Sequence, residues 1–261
     1  MSSDRNRAVS VVVFGGPKSG KSTFAVSAPA PRLILDVEAS ARFLDIQMVK
    51  WNPRHDPPVL DGTWDTAVVS VQDFDEVRKV YQWLQSGRHP FNSVIIDSIS
   101  ELQQRLIEKV SNRAQMQTQD WGTVLRDYMG ALRDFRDLTE HPTHYMTAVV
   151  LIAMGVVGAD GKMRPFAQGQ SRTMVPFLFD VLGAMHVDTW EAEPGNSAST
   201  QSIHRLLVGP NHRYETGTRV QGGRVPNYID NPTIPGLLDM IFGPLEPENT
   251  EESEESEEVA Q

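Results

Sequence analysis

Gly15, Gly20, Lys21 and Ser22 stand in the spacing G-x-x-x-x-G-K-S inside the run GGPKSGKST, residues 15–23. That is the spacing of a phosphate-binding loop. Glycines free the backbone to fold back, so that successive N–H groups converge on a phosphate chain. The helix expected to follow adds its N-terminus to the same charge. Lys21 supplies positive charge to the β/γ oxygens, and the Ser22 hydroxyl is a ligand for Mg²⁺. Gly16, Pro17, Lys18, Ser19 and Thr23 complete the nucleotide-binding run. The other reading of the same residues is a glycine-rich turn before an ordinary amphipathic helix.

A nucleotide held with Mg²⁺ needs an acidic residue for the metal's shell. Asp97 ends the apolar run SVIID (93–97). A carboxylate at the C-terminal end of a buried strand lies on the sheet edge that also carries the loop. Its alternative role is a helix N-cap, because Asp97-Ser98 opens the next helix. Hydrolysis further needs a group that orients or deprotonates water. Asp36 and Glu38 follow the short strand RLILD (32–36), and Glu38, with the longer reach, is the expected base. The alternative is that either carboxylate caps a helix near Ala41.

Two basic clusters stand apart from the loop. Lys109 and Arg113 flank the segment after the Asp97 helix, and Lys162, Arg164, Phe166 and Arg172 fall within 155–172. Cations beside an aromatic ring suit single-stranded nucleic acid, where phosphate is neutralised and a base stacks. Surface loops are also basic for solubility alone. His141 and His144 are the one closely spaced histidine pair, and without an acidic or cysteine partner they predict a turn rather than a metal site.

These side chains must be carried by regular elements. Residues 8–27 predict strand, loop and helix. Apolar runs at 32–36, 67–71, 93–97 and 144–154 predict strands, and 51–63, rich in Pro and Asp, a loop. Helical periodicity follows Asp73 through Ser86 and recurs at 99–110 and 120–138. The segment 155–172 predicts a mobile loop or hairpin. Late strands near 181–187 and 203–208 precede a short helix at 237–242. Strands alternating with helices predict an α/β fold, with a mainly parallel sheet flanked by helices and antiparallel strands at one edge. One domain, 1–243, carries the chemistry, and 244–261 reads as a disordered acidic tail.

The chain has 261 residues, no cysteine and a formal net charge of −10. Disulfides and thiolate metal sites are excluded. Glu246, Glu248, Glu251, Glu252, Glu254, Glu255, Glu257 and Glu258 carry most of the negative excess, so the body is nearly neutral and its overall acidity does not count against nucleic acid. No apolar run approaches a membrane span and MSSDRNRAVS has no leader-like core. The expectation is a cytoplasmic protein with no membrane partner.

With these motifs in hand, the chain resembles the short RecA-type P-loop ATPases of phages, which are cut-down recombinase cores. The resemblance runs from about Ala8 to Phe242 and is strongest in GGPKSGKS (15–22), LDVEAS (35–40) and SVIIDSIS (93–100). Asp36-Val37-Glu38 is similar to the Asp-x-Glu whose glutamate activates water in that family, and Asp97-Ser98 to its metal-coordinating pair. YETGTRVQGGRVPNYIDNP (214–232) is similar to the family's C-terminal part. The resemblance implies ATP and Mg²⁺ as cofactors and single-stranded DNA as partner. It also implies annealing or recombination beside a single-strand-binding protein, and assembly as a filament or ring in a host cytoplasm. It puts DNA loops at 109–121 and 155–172.

Two features depart from the family pattern. Ala153 and Met154 stand where a polar γ-phosphate sensor is expected, which implies slow turnover. Gly217 replaces the lysine of a Lys-x-Arg pair that reaches a neighbouring subunit's nucleotide, leaving Arg219, with Arg224 as a further arginine. A rival reading is therefore a nucleotide-gated binding or scaffold protein with little hydrolysis. A small-molecule P-loop kinase is a third, disfavoured because no arginine-rich lid segment is present.

Overall fold

β-Branched runs of five to seven residues build the centre of a sheet, because branched side chains pack well on a pleated, doubly covered surface. The computed structural model describes residues 6–112, 115–192 and 200–245. In chain order the elements are β1 (Val9–Gly15), α1 (Lys21–Ala25), β2 (Arg32–Asp36), β3 (Met48–Lys50), β4 (Thr66–Ser70), α2 (Phe74–Gln85), β5 (Ser93–Asp97), α3 (Ile99–Ser111) and α4 (Thr118–Asp137). They continue with β6 (Ala148–Val157), β7 (Met163–Pro165), α5 (Ser171–Met174), β8 (Val181–Glu191), β9 (Thr200–Leu207), β10 (Gly217–Thr218), β11 (Tyr228–Asp230) and α6 (Ile234–Phe242).

The strands form one 11-stranded sheet, ordered β11-β9-β8-β1-β6-β5-β2-β4-β3, with β10 paired to β8 and β7 to β6. From β8 to β3 every neighbouring pair is parallel. β9 and β11 extend the β8 edge antiparallel. This is the α/β architecture that the alternation of strands and helices predicts.

Period-two alternation along β1 splits the core into two layers. Val12 and Phe14 pack on the face that buries Phe74, Leu102, Tyr128 and Leu132 of α2, α3 and α4. Val11 and Val13 pack on the face that buries Phe24 of α1 and Leu237, Leu238 and Ile241 of α6. Helix α2 starts where the sequence places it: Asp73 accepts from Asp75 N–H, and Glu76 closes a capping box.

The register puts functional residues on one line. Val13, Ile152, Asp97, Asp36 and Ser70 are level across β1, β6, β5, β2 and β4. The glycine-rich loop begins just beyond that line, at the C-terminal end of β1.

Several local expectations are corrected. The strand expected from His144 begins only at Ala148. The His144 ring lies 3.3 Å from Gly87 O and 3.0 Å from Phe91 O, which ties that segment to the connection between α2 and β5. His141 Nε2 lies 2.9 Å from Gln85 O, so both histidines serve the turn. Segment 51–63 is irregular, yet Trp51 and Trp64 at its ends are buried against Phe91, with ring centroids 5.7 and 6.2 Å apart. β3, β10 and β11, of two or three residues each, are additions to the expected strands, while β7 completes the hairpin alternative at 155–172. Among the described residues no helix is long and apolar enough to cross a membrane.

Candidate nucleotide site

The loop between β1 and α1 is built by close approaches that only glycine permits. A Cβ on Gly15 would stand 2.2 Å from the Met185 carbonyl oxygen of neighbouring β8. Gly20 has φ +93°, and a Cβ there would meet His204 Nδ1 at 2.7 Å. Inside the loop, the Ser19 hydroxyl donates to Gly16 O at 2.9 Å. Lys21 Nζ donates to Gly16 O at 2.7 Å and to Gly15 O at 3.3 Å. Burial holds the Lys21 ammonium below the ordinary lysine range, while the charges of Asp97 and Glu38 pull it back upward.

Asp97 is brought to Ser22. The Ser22 hydroxyl donates to Asp97 Oδ2 at 2.9 Å, and the Ser40 hydroxyl approaches the same oxygen at 3.4 Å. Burial pushes the Asp97 carboxyl up to about 6, helped by the neighbouring charges of Glu38 and Asp36 and opposed by the Ser22 hydrogen bond. Asp97 does not cap α3. That role belongs to Ser98, whose side chain accepts from Glu101 N–H.

The two carboxylates at the end of β2 and just beyond it divide their work. Asp36 is buried and accepts from Ser40 N–H at 2.9 Å and Ala41 N–H at 3.3 Å, so it caps the 3₁₀ turn Ala41–Phe43. Glu38 is exposed, and its Oε1 accepts a hydrogen bond from the Ser98 hydroxyl, one residue past Asp97. The capping alternative therefore describes Asp36, and Glu38 is left facing the cavity.

That cavity has a volume of about 690 Å³ and is lined by Lys21, Ser22, Glu38, Asp97, Met154 and His204, among others. Its size is in the range of small-molecule and cofactor pockets. The donors fit a metal-bound phosphate chain. Ser22 and Asp97 give two adjacent hard oxygens, and Lys21 rests on backbone carbonyls, with no ion pair among the described residues. Among the described residues no group of three or more His, Asp or Glu could hold a metal ion by itself. Mg²⁺ suits such a site, because it keeps several waters and binds through substrate phosphates and one or two carboxylates. Met154 is level with Gly15 and 44% exposed, so a thioether lines the cavity where a polar group was expected; Ala153 is buried.

The basic residues are arranged differently from a free cationic surface. Lys109 lies in the last turn of α3 and pairs with Asp73 at 2.9 Å and Asp75 at 2.5 Å at the start of α2. Arg164 pairs with Asp160 at 2.7 Å and Glu215 at 2.8 Å. Their charges are offset within the chain. Lys162 and Arg172 are in no ion pair among the described residues, and Arg113 lies outside those residues.

Segment 155–172 is a pinned hairpin rather than a loose loop. β7 pairs with β6, and Phe166 N–H donates to Met154 O at 2.7 Å. The Ser100 hydroxyl of α3 donates to Phe166 O at 2.9 Å. Buried Gln103 bonds to Gln168 N and O and to the Ser171 hydroxyl.

Arg219 sits toward the opposite end of the sheet from the loop. Thr218 pairs with Val181, whereas Met185 is the β8 residue level with Gly15, about 13 Å further along the strand. Its guanidinium donates to Phe177 O at 2.5 Å, with Asp180 Oδ1 at 3.5 Å, and Arg224 donates to Ile241 O at 3.2 Å. Of the acidic tail, 246–261 lies outside the described residues.

His204 and Ser40 are the site residues that the sequence did not single out. Ser40 follows Glu38 by two residues and carried no motif. His204 reaches the loop only because β9 pairs with β8, which in turn pairs with β1. Its Nδ1 lies 3.1 Å from Ser19 O. No short-range pattern encodes that neighbour.

No curated protein matches the chain. The AAA domain family matches residues 7–220, a span that takes in the loop, Glu38, Asp97, Met154 and His204. With a glycine-rich loop, a lysine on its carbonyls and a Ser–Asp pair beside it, the chain belongs to the AAA domain family and is a P-loop NTPase.

Proposed function

We propose that the protein is a RecA-like, Mg²⁺-dependent ATPase that binds single-stranded DNA and promotes annealing or homologous recombination in phage DNA metabolism. The observation that carries the hydrolytic part is the convergence of Ser22, Asp97 and Glu38 on the cavity that Lys21 also lines. Ser22 and Asp97 would hold Mg²⁺, which would supply charge neutralisation to the phosphate chain. Lys21 exchanges the Gly15 and Gly16 carbonyls for phosphate oxygens and stabilises the charge that grows on them. Glu38 accepts the proton of the attacking water. Water's oxygen bonds to the γ-phosphorus as the bond to the ADP oxygen breaks.

The DNA-binding part rests on the resemblance and on a smaller cationic set. Lys162 and Arg172 make no ion pair among the described residues, and Phe166 is the half-buried ring near them in sequence. Lys109 and Arg164 contribute only by leaving their carboxylate partners. Arg219, far from its own loop, fits action on a neighbouring copy's nucleotide in a filament or ring. A single-strand-binding protein is the proposed companion. Met154 favours a second reading, a nucleotide-gated scaffold with negligible turnover, because a thioether cannot report the γ-phosphate by a strong hydrogen bond.

Phosphate release measured with and without single-stranded DNA, at two salt concentrations, separates these. The recombinase reading expects stimulation by DNA that falls as salt rises. Tight ATP binding with no release under any condition would overturn it in favour of the scaffold.

A further inference from the structure

His204 belongs to an antiparallel strand beyond the parallel core, yet its ring is packed on the phosphate loop. Nδ1 lies 3.1 Å from the Ser19 carbonyl oxygen. A carbonyl can only accept, so Nδ1 carries the proton and donates. The ring also occupies the place where a Gly20 side chain would sit, 2.7 Å from the ideal Cβ position.

The consequence lies in the peptide plane. The Ser19 carbonyl and the Gly20 N–H belong to one planar trans peptide, so they point in opposite directions. Pinning the carbonyl toward β9 turns the N–H away from β9. At Gly20, φ is +93°, a conformation in which the backbone has wide freedom without a restraint. Gly20 N–H is one of the backbone donors that the G-x-x-x-x-G-K-S pattern aims at phosphate.

We infer that His204 is a positioning residue of the nucleotide site: its Nδ1–H, through the Ser19 carbonyl, fixes the Gly20 N–H in the orientation that receives a nucleotide phosphate. The inference rests on the reading of the loop as a nucleotide site. It adds that β9, outside the parallel core, preorganises the loop before the ligand arrives. Removing the donor therefore weakens binding without slowing the chemistry of the bound complex.

Three variants separate the hydrogen bond from mere packing. His204→Ala removes both ring and donor. His204→Leu keeps bulk against Gly20 but has no donor. His204→Asn keeps an N–H donor the same number of bonds from Cα as Nδ1. Equilibrium titration with ATP, with KM and kcat for hydrolysis, is the readout, and thermal midpoints check the fold. The Ala and Leu variants should bind ATP about tenfold more weakly, with KM raised alike and kcat within about twofold. The Asn variant should stay within about twofold of wild type. Wild-type affinity in His204→Leu, or an Asn variant as weak as Ala, overturns the inference. Lys21→Ala is the parallel control. If it loses ATP while all three His204 variants bind normally, the inference fails and the site stands. If wild-type protein binds no ATP, the site reading itself fails.

Discussion

Lys21→Ala should leave a folded protein whose ATP turnover is lower by at least about a hundredfold, with nucleotide affinity reduced as well. The size follows from losing a preorganised charge aimed where negative charge develops, typically worth about 10² to 10³ in rate. The fold survives because the ammonium makes no ion pair among the described residues. It bonds to the carbonyls of Gly15 and Gly16, and burial disfavours its charged form. Alanine removes that desolvation cost and leaves the β1–α1 connection to Gly15 and Gly20. Phosphate release beside circular dichroism and a melting curve checks both halves. Unchanged turnover in a folded variant would sink the assignment of the loop.

Asp97→Asn should raise stability while it lowers activity. The carboxyl is 6% exposed, and burial pushes it up to about 6 in the folded chain, against the ordinary 3.8. A carboxyl whose folded value lies above its unfolded one favours folding only when protonated. Its cost therefore appears as pH rises above 3.8 and is complete above about 6. The gap corresponds to about 3 kcal/mol. Asn keeps an acceptor for the Ser22 hydroxyl and cannot ionise, so the variant should gain up to about 3 kcal/mol at pH 7.5 and about half that at pH 5. Turnover should fall by about a hundredfold, because a neutral amide is a poor Mg²⁺ ligand. Urea unfolding at the two pH values, with Mg²⁺-dependent phosphate release, tests the pair of effects. A stability loss, or a gain equal at both pH values, would contradict the burial argument.

Much of this site is legible along the chain because its parts are local. RLILD and SVIID are short apolar runs that each end on a carboxylate, so strand and acid are read together as β2 with Asp36 and β5 with Asp97. Asp73 and Glu76 write the start of α2 in four residues. What the sequence hides is whatever depends on a partner far away in the chain. The split between Asp36 and Glu38 depends on which backbone N–H groups the turn after β2 presents. Lys109 looks cationic until α2 brings Asp73 and Asp75 against it. The hairpin 155–172 reads as loose because the groups that pin it, Ser100 and Gln103, lie in α3. His204 is the extreme case, joined to Ser19 through two successive strand pairings.

The account turns on Glu38 as the group that prepares water beside a metal-bound nucleotide. Its most direct test is single-turnover ATP hydrolysis by Glu38→Gln protein, with ATP affinity measured on the same sample. Gln is isosteric and still accepts from the Ser98 hydroxyl, so affinity should stay within about threefold while the rate falls about a hundredfold or more. Hydrolysis at the wild-type rate by the Gln variant would contradict the account.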